Sequence, residues 1–80
     1  MKITVFAFGI AKEIIENAFA DIELKDETSV HILKSMLEEK YPALKKLGSY
    51  MIAVNNEYAG DEIIINDKDE VALIPPVSGG

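Results

Sequence analysis

The chain has 80 residues, 49% of them hydrophobic and 28% charged, with 14 acidic and 8 basic side chains and a net charge of −6. Every basic residue is a lysine and there is no cysteine, which excludes disulfides, thiol nucleophiles, zinc–thiolate sites and iron–sulfur clusters. Phosphate backbones and anionic membranes both require clustered cations, so nucleic acid and membrane are poor partners and a protein with a basic docking surface is a better one. The length allows one domain with one small core. No apolar run approaches the ~20 residues of a membrane span, and a chain free of disulfides with no signal peptide is expected in the cytoplasm.

Residues 2–8 (KITVFAF) are rich in β-branched and aromatic side chains and read as a strand ended by Gly9. Residues 11–18 form a short helical or irregular crossing, and residues 21–25 (DIELK) a second strand. Thr28 or Ser29 is positioned to cap a helix whose apolar face is Val30, Leu33, Leu37, Tyr41 and Leu44, at steps of three and four. Pro42 predicts the end of the regular helix at Lys40 or Tyr41. Residues 50–54 (YMIAV) run into Asn55-Asn56, which tolerate the positive φ of a tight hairpin, with Tyr58-Ala59 as the return arm. Residues 63–65 read as a further short strand, residues 66–69 as a polar turn and residues 70–74 (EVALI) as the last strand. The order β-β-α-β-β-β gives an α+β fold, with one principal helix packed on one face of a single sheet.

Strand parity divides the two faces. Ile3, Val5, Ile52, Val54, Val71 and Leu73 are expected to join Val30, Leu33 and Leu37 in the core. Phe6, Phe8, Met51, Ala53, Ala72 and Ile74 are then left on the opposite face, as an exposed apolar patch of the kind that marks a partner site.

The body of the chain offers little chemistry. His31, the only histidine, stands in the first turn of the helix without a ligand cluster around it. Asp67, Asp69 and Glu70 lack the glycine and distal glutamate of a calcium loop and read as a solvated turn. Glu38 and Glu39, near Lys34 and Lys40, read as surface charge pairs. No phosphate-binding loop, dinucleotide fingerprint or nucleophile elbow occurs. The C-terminus draws the attention instead. Ile74-Pro75-Pro76-Val77-Ser78-Gly79-Gly80 is stiff, then ends in two residues without side chains. That design suits a reactive carboxylate on Gly80 that has to pass a narrow channel. Prolines at 75 and 76 favour an extended direction, and the four residues after them reach at most about 13–14 Å. The division implied is a domain over residues 1–74 and a reactive tail over residues 75–80.

The block from Asp67 to Gly80 (DKDEVALIPPVSGG) resembles the C-terminal signature of the molybdopterin synthase small-subunit family, and Ala53-Val54-Asn55-Asn56 resembles its turn. The resemblance covers the whole chain and implies the ubiquitin-like β-grasp fold, with a mixed sheet. It also implies a sulfur carrier with no catalytic side chains of its own and no bound cofactor. An adenylating enzyme of the ubiquitin-activating type, using ATP, would form a glycyl adenylate at Gly80. A sulfurtransferase would supply the sulfur of a thiocarboxylate, 1-thioglycine at that position. The synthase large subunit would then direct this sulfur to a cyclic pyranopterin monophosphate, building the molybdopterin dithiolene. Pro75, Pro76, Val77, Ser78 and Gly79 form the tail in this reading, and Phe6, Phe8, Lys12, Met51, Ala72 and Ile74 the partner interface. Lys12-Glu13 departs from the arginine–glutamate pair usual there; lysine keeps the charge but loses the planar fork. A thiamine-pathway carrier, a ubiquitin-like modifier joined through Gly80 to lysines, and a binding module with an inert tail are the alternatives.

Overall fold

A computed structural model describes residues 1–76; the tail positions Val77, Ser78, Gly79 and Gly80 lie outside the described residues. Five strands form one sheet: β1 (Lys2–Ala7), β2 (Phe19–Glu23), β3 (Met51–Val54), β4 (Glu57–Tyr58) and β5 (Val71–Ile74). Their order is β2-β1-β5-β3-β4. β5 lies in the centre, parallel to β1 and antiparallel to β3, so the sheet is mixed. Helix α1 (Ile10–Ile15) and helix α2 (Val30–Lys40) follow β1 and β2. A 3-10 turn, Pro42–Leu47, follows α2, because Pro42 removes a helical donor and its ring disfavours helical geometry at Tyr41.

The core agrees with the strand parity. Ile3, Val5, Ile52, Val71 and Leu73 are buried against Val30, Leu33, Leu37 and Leu44, while Val54 and Tyr41 are only partly buried at its margin. Asn55 and Asn56 both take positive φ, 53° and 69°, and close the β3–β4 hairpin as the residue pair predicts.

The expected strand at residues 63–65 is a correction. This segment makes only an isolated bridge, Ser29 to Ile64, because its backbone groups are committed to the start of α2. Val30 N–H donates to Ile63 C=O at 2.8 Å and His31 N–H to Asp61 C=O at 3.0 Å. Ser29 Oγ takes Ile32 N–H, so the donors of the first three helical residues, Val30, His31 and Ile32, all find partners, and Ser29 C=O takes Leu33 N–H as the first bond of the helix itself. The second strand is also displaced, beginning at Phe19 rather than Asp21.

Candidate functional site

The helices cover one face of the sheet, and the other is open. Register places one row straight across it: Phe19 opposite Phe6, Phe6 beside Ala72, Ala72 beside Ala53, and Ala53 opposite Tyr58. Two small side chains thus lie between aromatic walls. The Phe6 and Phe19 rings tilt at 55° with centroids 6.4 Å apart, a favourable aromatic pair. A second row follows with Ile74 and Met51 opposite each other, and Phe8 just beyond the end of β1. Phe8 is 53% exposed and Met51 48%, so large apolar surface meets water on both sides of the alanines.

The walls modify three expectations. Ala53 belongs to this face but is buried, and Ala72 and Ile74 are half-buried rather than exposed, because Phe8 and Tyr58 line a cleft over them. Small side chains in the floor of a trough lose water to taller neighbours. Phe19 and Tyr58 are additions that the sequence reading missed. The signal was available for Phe19, since Phe19, Asp21 and Glu23 alternate with the buried Ala20, Ile22 and Leu24.

Because β5 is the central strand, the chain leaves the sheet midway across its width, at the end of the apolar face marked by Phe8, Ile74 and Met51. Phe8 N–H donates to Leu73 C=O at 3.3 Å, which holds the end of β1 against the exit. Gly9 has φ +55° and ψ −135°, a conformation natural to glycine alone. A Cβ there would lie 3.2 Å from Pro75 Cγ. Gly9 thus lets the strand-to-helix turn pack directly on the first proline of the tail. Lys12, one turn further along α1, is exposed and bonds its backbone N–H to Gly9 C=O at 3.1 Å.

The other polar candidates resolve as structure. Asp69 accepts from Asn66 N–H at 2.7 Å and from Asn55 Nδ2 at 3.0 Å, tying the 66–69 turn to the hairpin. His31 is an exposed helix residue, with Nδ1 3.9 Å from Asp61. Among the described residues no group of histidine and carboxylate side chains is arranged to hold a metal ion. Glu38 departs from the surface-pair expectation: it accepts a hydrogen bond from the buried Tyr50 hydroxyl. Lys34 pairs instead with Asp61 at 3.6 Å and lies over the Tyr50 ring. Burial first, and then the Glu38 carboxylate, push the Tyr50 phenol well above its ordinary range.

The model of the ThiS family matches residues 5–80. The chain belongs to that family. It is 37% identical to the molybdopterin synthase sulfur carrier subunit of Caenorhabditis briggsae over 83 residues, covering 100% of this chain and 99% of the relative. Among solved structures it resembles the small archaeal modifier protein 1 of Methanosarcina acetivorans, with a TM-score of 0.81 and 26% identity over 99% and 96% of the two chains. A chain in the complex of subunits 1 and 2 of the molybdopterin-converting factor from Helicobacter pylori gives a TM-score of 0.70 and 30% identity, covering 100% of both. The sheet order, mixed polarity and crossing helix are those of the ubiquitin-like β-grasp fold, as expected for a ThiS-family chain.

Proposed function

We propose that this chain is the sulfur carrier subunit of a molybdopterin synthase, with the transferred sulfur held as a thiocarboxylate on Gly80. The observation that carries the reading is the placement of the tail exit. The central strand β5 delivers Pro75 at the end of an uncovered apolar face, midway across the width of the sheet, so a partner docked on that face has the start of the tail beside it. The similarity to sulfur carrier subunits over the full chain, and to a chain solved in the complex of subunits 1 and 2, supports a synthase large subunit as the partner.

The chemistry follows from the weakness of a carboxylate as an electrophile. An adenylating enzyme transfers AMP from ATP to the Gly80 carboxylate and releases pyrophosphate. A persulfide sulfur from a sulfurtransferase then attacks the acyl carbon and AMP departs. Reductive cleavage of the resulting acyl disulfide by a second thiol leaves the thiocarboxylate and a disulfide on the donor. The large subunit contributes the catalytic side chains, and this chain the docking face and the activated sulfur.

The test is deletion of Gly79 and Gly80. The domain should keep its melting temperature, while ATP–pyrophosphate exchange with the activating enzyme and the mass gain of an oxygen-to-sulfur exchange are both lost. Wild-type levels of either in the shortened chain would refute the carrier chemistry. A second reading, conjugation through Gly80 to protein lysines, is favoured by the likeness to the archaeal modifier protein. It predicts larger adducts, with the mass of this chain added to a target, under the same incubation.

A further inference from the structure

The sheet has a second open feature, at the edge furthest from β4. β2 has one neighbour, β1, and its hydrogen bonds to that strand use the even-numbered positions: Leu24 N–H donates to Met1 C=O at 2.7 Å, and Ala18 C=O accepts from Ala7 N–H at 2.9 Å. Strand geometry therefore aims the N–H and C=O groups of Phe19, Asp21 and Glu23 sideways, off the edge. Beside this edge runs an open cleft of about 630 Å³ between β2 and α2. Met36 lines it at 36% exposure, and Ile32, one helical turn earlier on α2 and 48% exposed, lines an adjoining hollow that shares Met36 and Glu23.

The charge around this groove is one-sided. Asp21, Glu23 and Glu39 line one end and Asp26 and Glu27 the other, against Lys25, Lys40 and the Met1 ammonium, which lies 3.7 Å from Glu23. Acidic groups are thus in excess here, in a chain whose net charge is −6.

We infer that the β2 edge and the Ile32/Met36 stripe form a docking groove for an extended basic–aliphatic segment of a partner protein, which adds to the sheet as a sixth strand. The alternation of a strand sets the required pattern. Residues of the segment that face the helix side would rest on Ile32 and Met36 and must be aliphatic. Those between them lie next to Asp21 and Glu23 and must be Lys or Arg, since opposite charges across a strand pair attract and like charges repel. The same rule disfavours a second copy of this chain. An antiparallel pairing of β2 with itself centred on Asp21 sets Asp21 against Asp21, and one centred on Ile22 sets Asp21 against Glu23. The groove adjoins the apolar face assigned to the synthase partner and shares Phe19 with it, but it opens between β2 and α2 on the helix side, and it does not depend on sulfur chemistry.

The test uses the full chain and a labelled seven-residue peptide of alternating lysine and valine. A block peptide of the same composition, with four lysines followed by three valines, is the comparison. Fluorescence anisotropy at about 0.15 M ionic strength should show the alternating peptide binding at least ~10-fold more tightly than the block peptide. Amide shifts should concentrate on Phe19, Asp21 and Glu23. Reversal of the edge charge in the Asp21→Lys/Glu23→Lys variant should weaken binding ~10-fold or more, and Met36→Glu should weaken it through the aliphatic side. Glu57→Lys, a single charge reversal on β4 at the opposite edge, should leave it unchanged. Equal affinity for the two peptides would reduce the effect to bulk charge and overturn the proposal. So would shifts centred on Phe8 and Met51, no binding by about 1 mM peptide, or sedimentation showing that the free chain self-associates through β2.

Discussion

The two faces of the sheet are made by the same strands and differ only in the parity of the residues. On the covered face Ile3, Val5, Ile52 and Leu73 are buried under α2 and stabilise the fold. On the other, Lys2, Thr4, Asp21 and Glu23 obey the ordinary polar-outward alternation at one end, but Phe6, Phe8, Phe19 and Met51 break it at the other. Apolar surface left uncovered by the helices is where the proposed partner would dock. Under the proposed function, folding is served from one side and docking from the other, with β5 common to both.

The comparison predicts effects that separate by face. Leu33→Ala, on the covered side, should cost about 2–5 kcal/mol in a urea or thermal unfolding experiment, because Leu33 is fully buried. A cost under about 0.5 kcal/mol would move Leu33 to the surface and break the assignment of faces. Phe8→Lys should do the reverse. Its unfolding free energy should change little, and binding to a synthase large subunit should weaken by about 2 kcal/mol or more, as for a buried interface anchor. Calorimetric titration showing unchanged binding would detach the apolar face from docking.

Gly9→Ala tests the junction of the two faces. The side chain has to occupy a positive-φ position 3.2 Å from Pro75 Cγ, at a cost of about 1–3 kcal/mol. A variant of wild-type stability would show that the turn does not brace the tail. The smallest effect belongs to Tyr50→Phe, which deletes the hydrogen bond to Glu38 and should cost about 1 kcal/mol near neutral pH. That difference should shrink as pH rises above about 10, the range in which a free phenol ionises. The unfolded chain releases the Tyr50 proton there while the folded chain retains it, so the wild type loses stability that the variant never had. A difference independent of pH would contradict the raised proton affinity of the Tyr50 phenol.

Much of this architecture was legible in local pattern. The cap, read as Thr28 or Ser29 and found at Ser29, the Val30, Leu33 and Leu37 part of the helix stripe, the Asn55-Asn56 hairpin and the inward parity of β1 and β5 each depend on a few neighbouring residues; Tyr41 and Leu44 of the stripe fall beyond the end of α2. The failures share one cause. Residues 63–65 have the composition of a strand, but their backbone groups pair with the start of α2, some thirty-five residues earlier in the chain. Glu38 looked like half of a surface ion pair because its true partner, Tyr50, lies across the 3-10 turn. Ala53, Ala72 and Ile74 were placed on the correct face, yet their burial depends on Phe8 and Tyr58 arriving from β1 and β4.

What the sequence determined by itself was the type of each main element, the centre of the core around Ile3, Val5, Leu33, Leu37, Ile52 and Leu73, the exclusion of thiol chemistry and the family signature leading to Gly80. These follow from side-chain chemistry and from periods of two and 3.6, which neighbouring residues carry among themselves. Tertiary structure alone decided that β5 lies at the centre of the sheet, that Phe19 and Tyr58 wall the trough, that Gly9 meets Pro75 and that the β2 edge is open beside α2. Each of these is a contact or an absence of pairing between segments far apart in the chain. Strand order is settled by which pairings best bury the shared apolar face, a property of all the strands together and not of any local stretch.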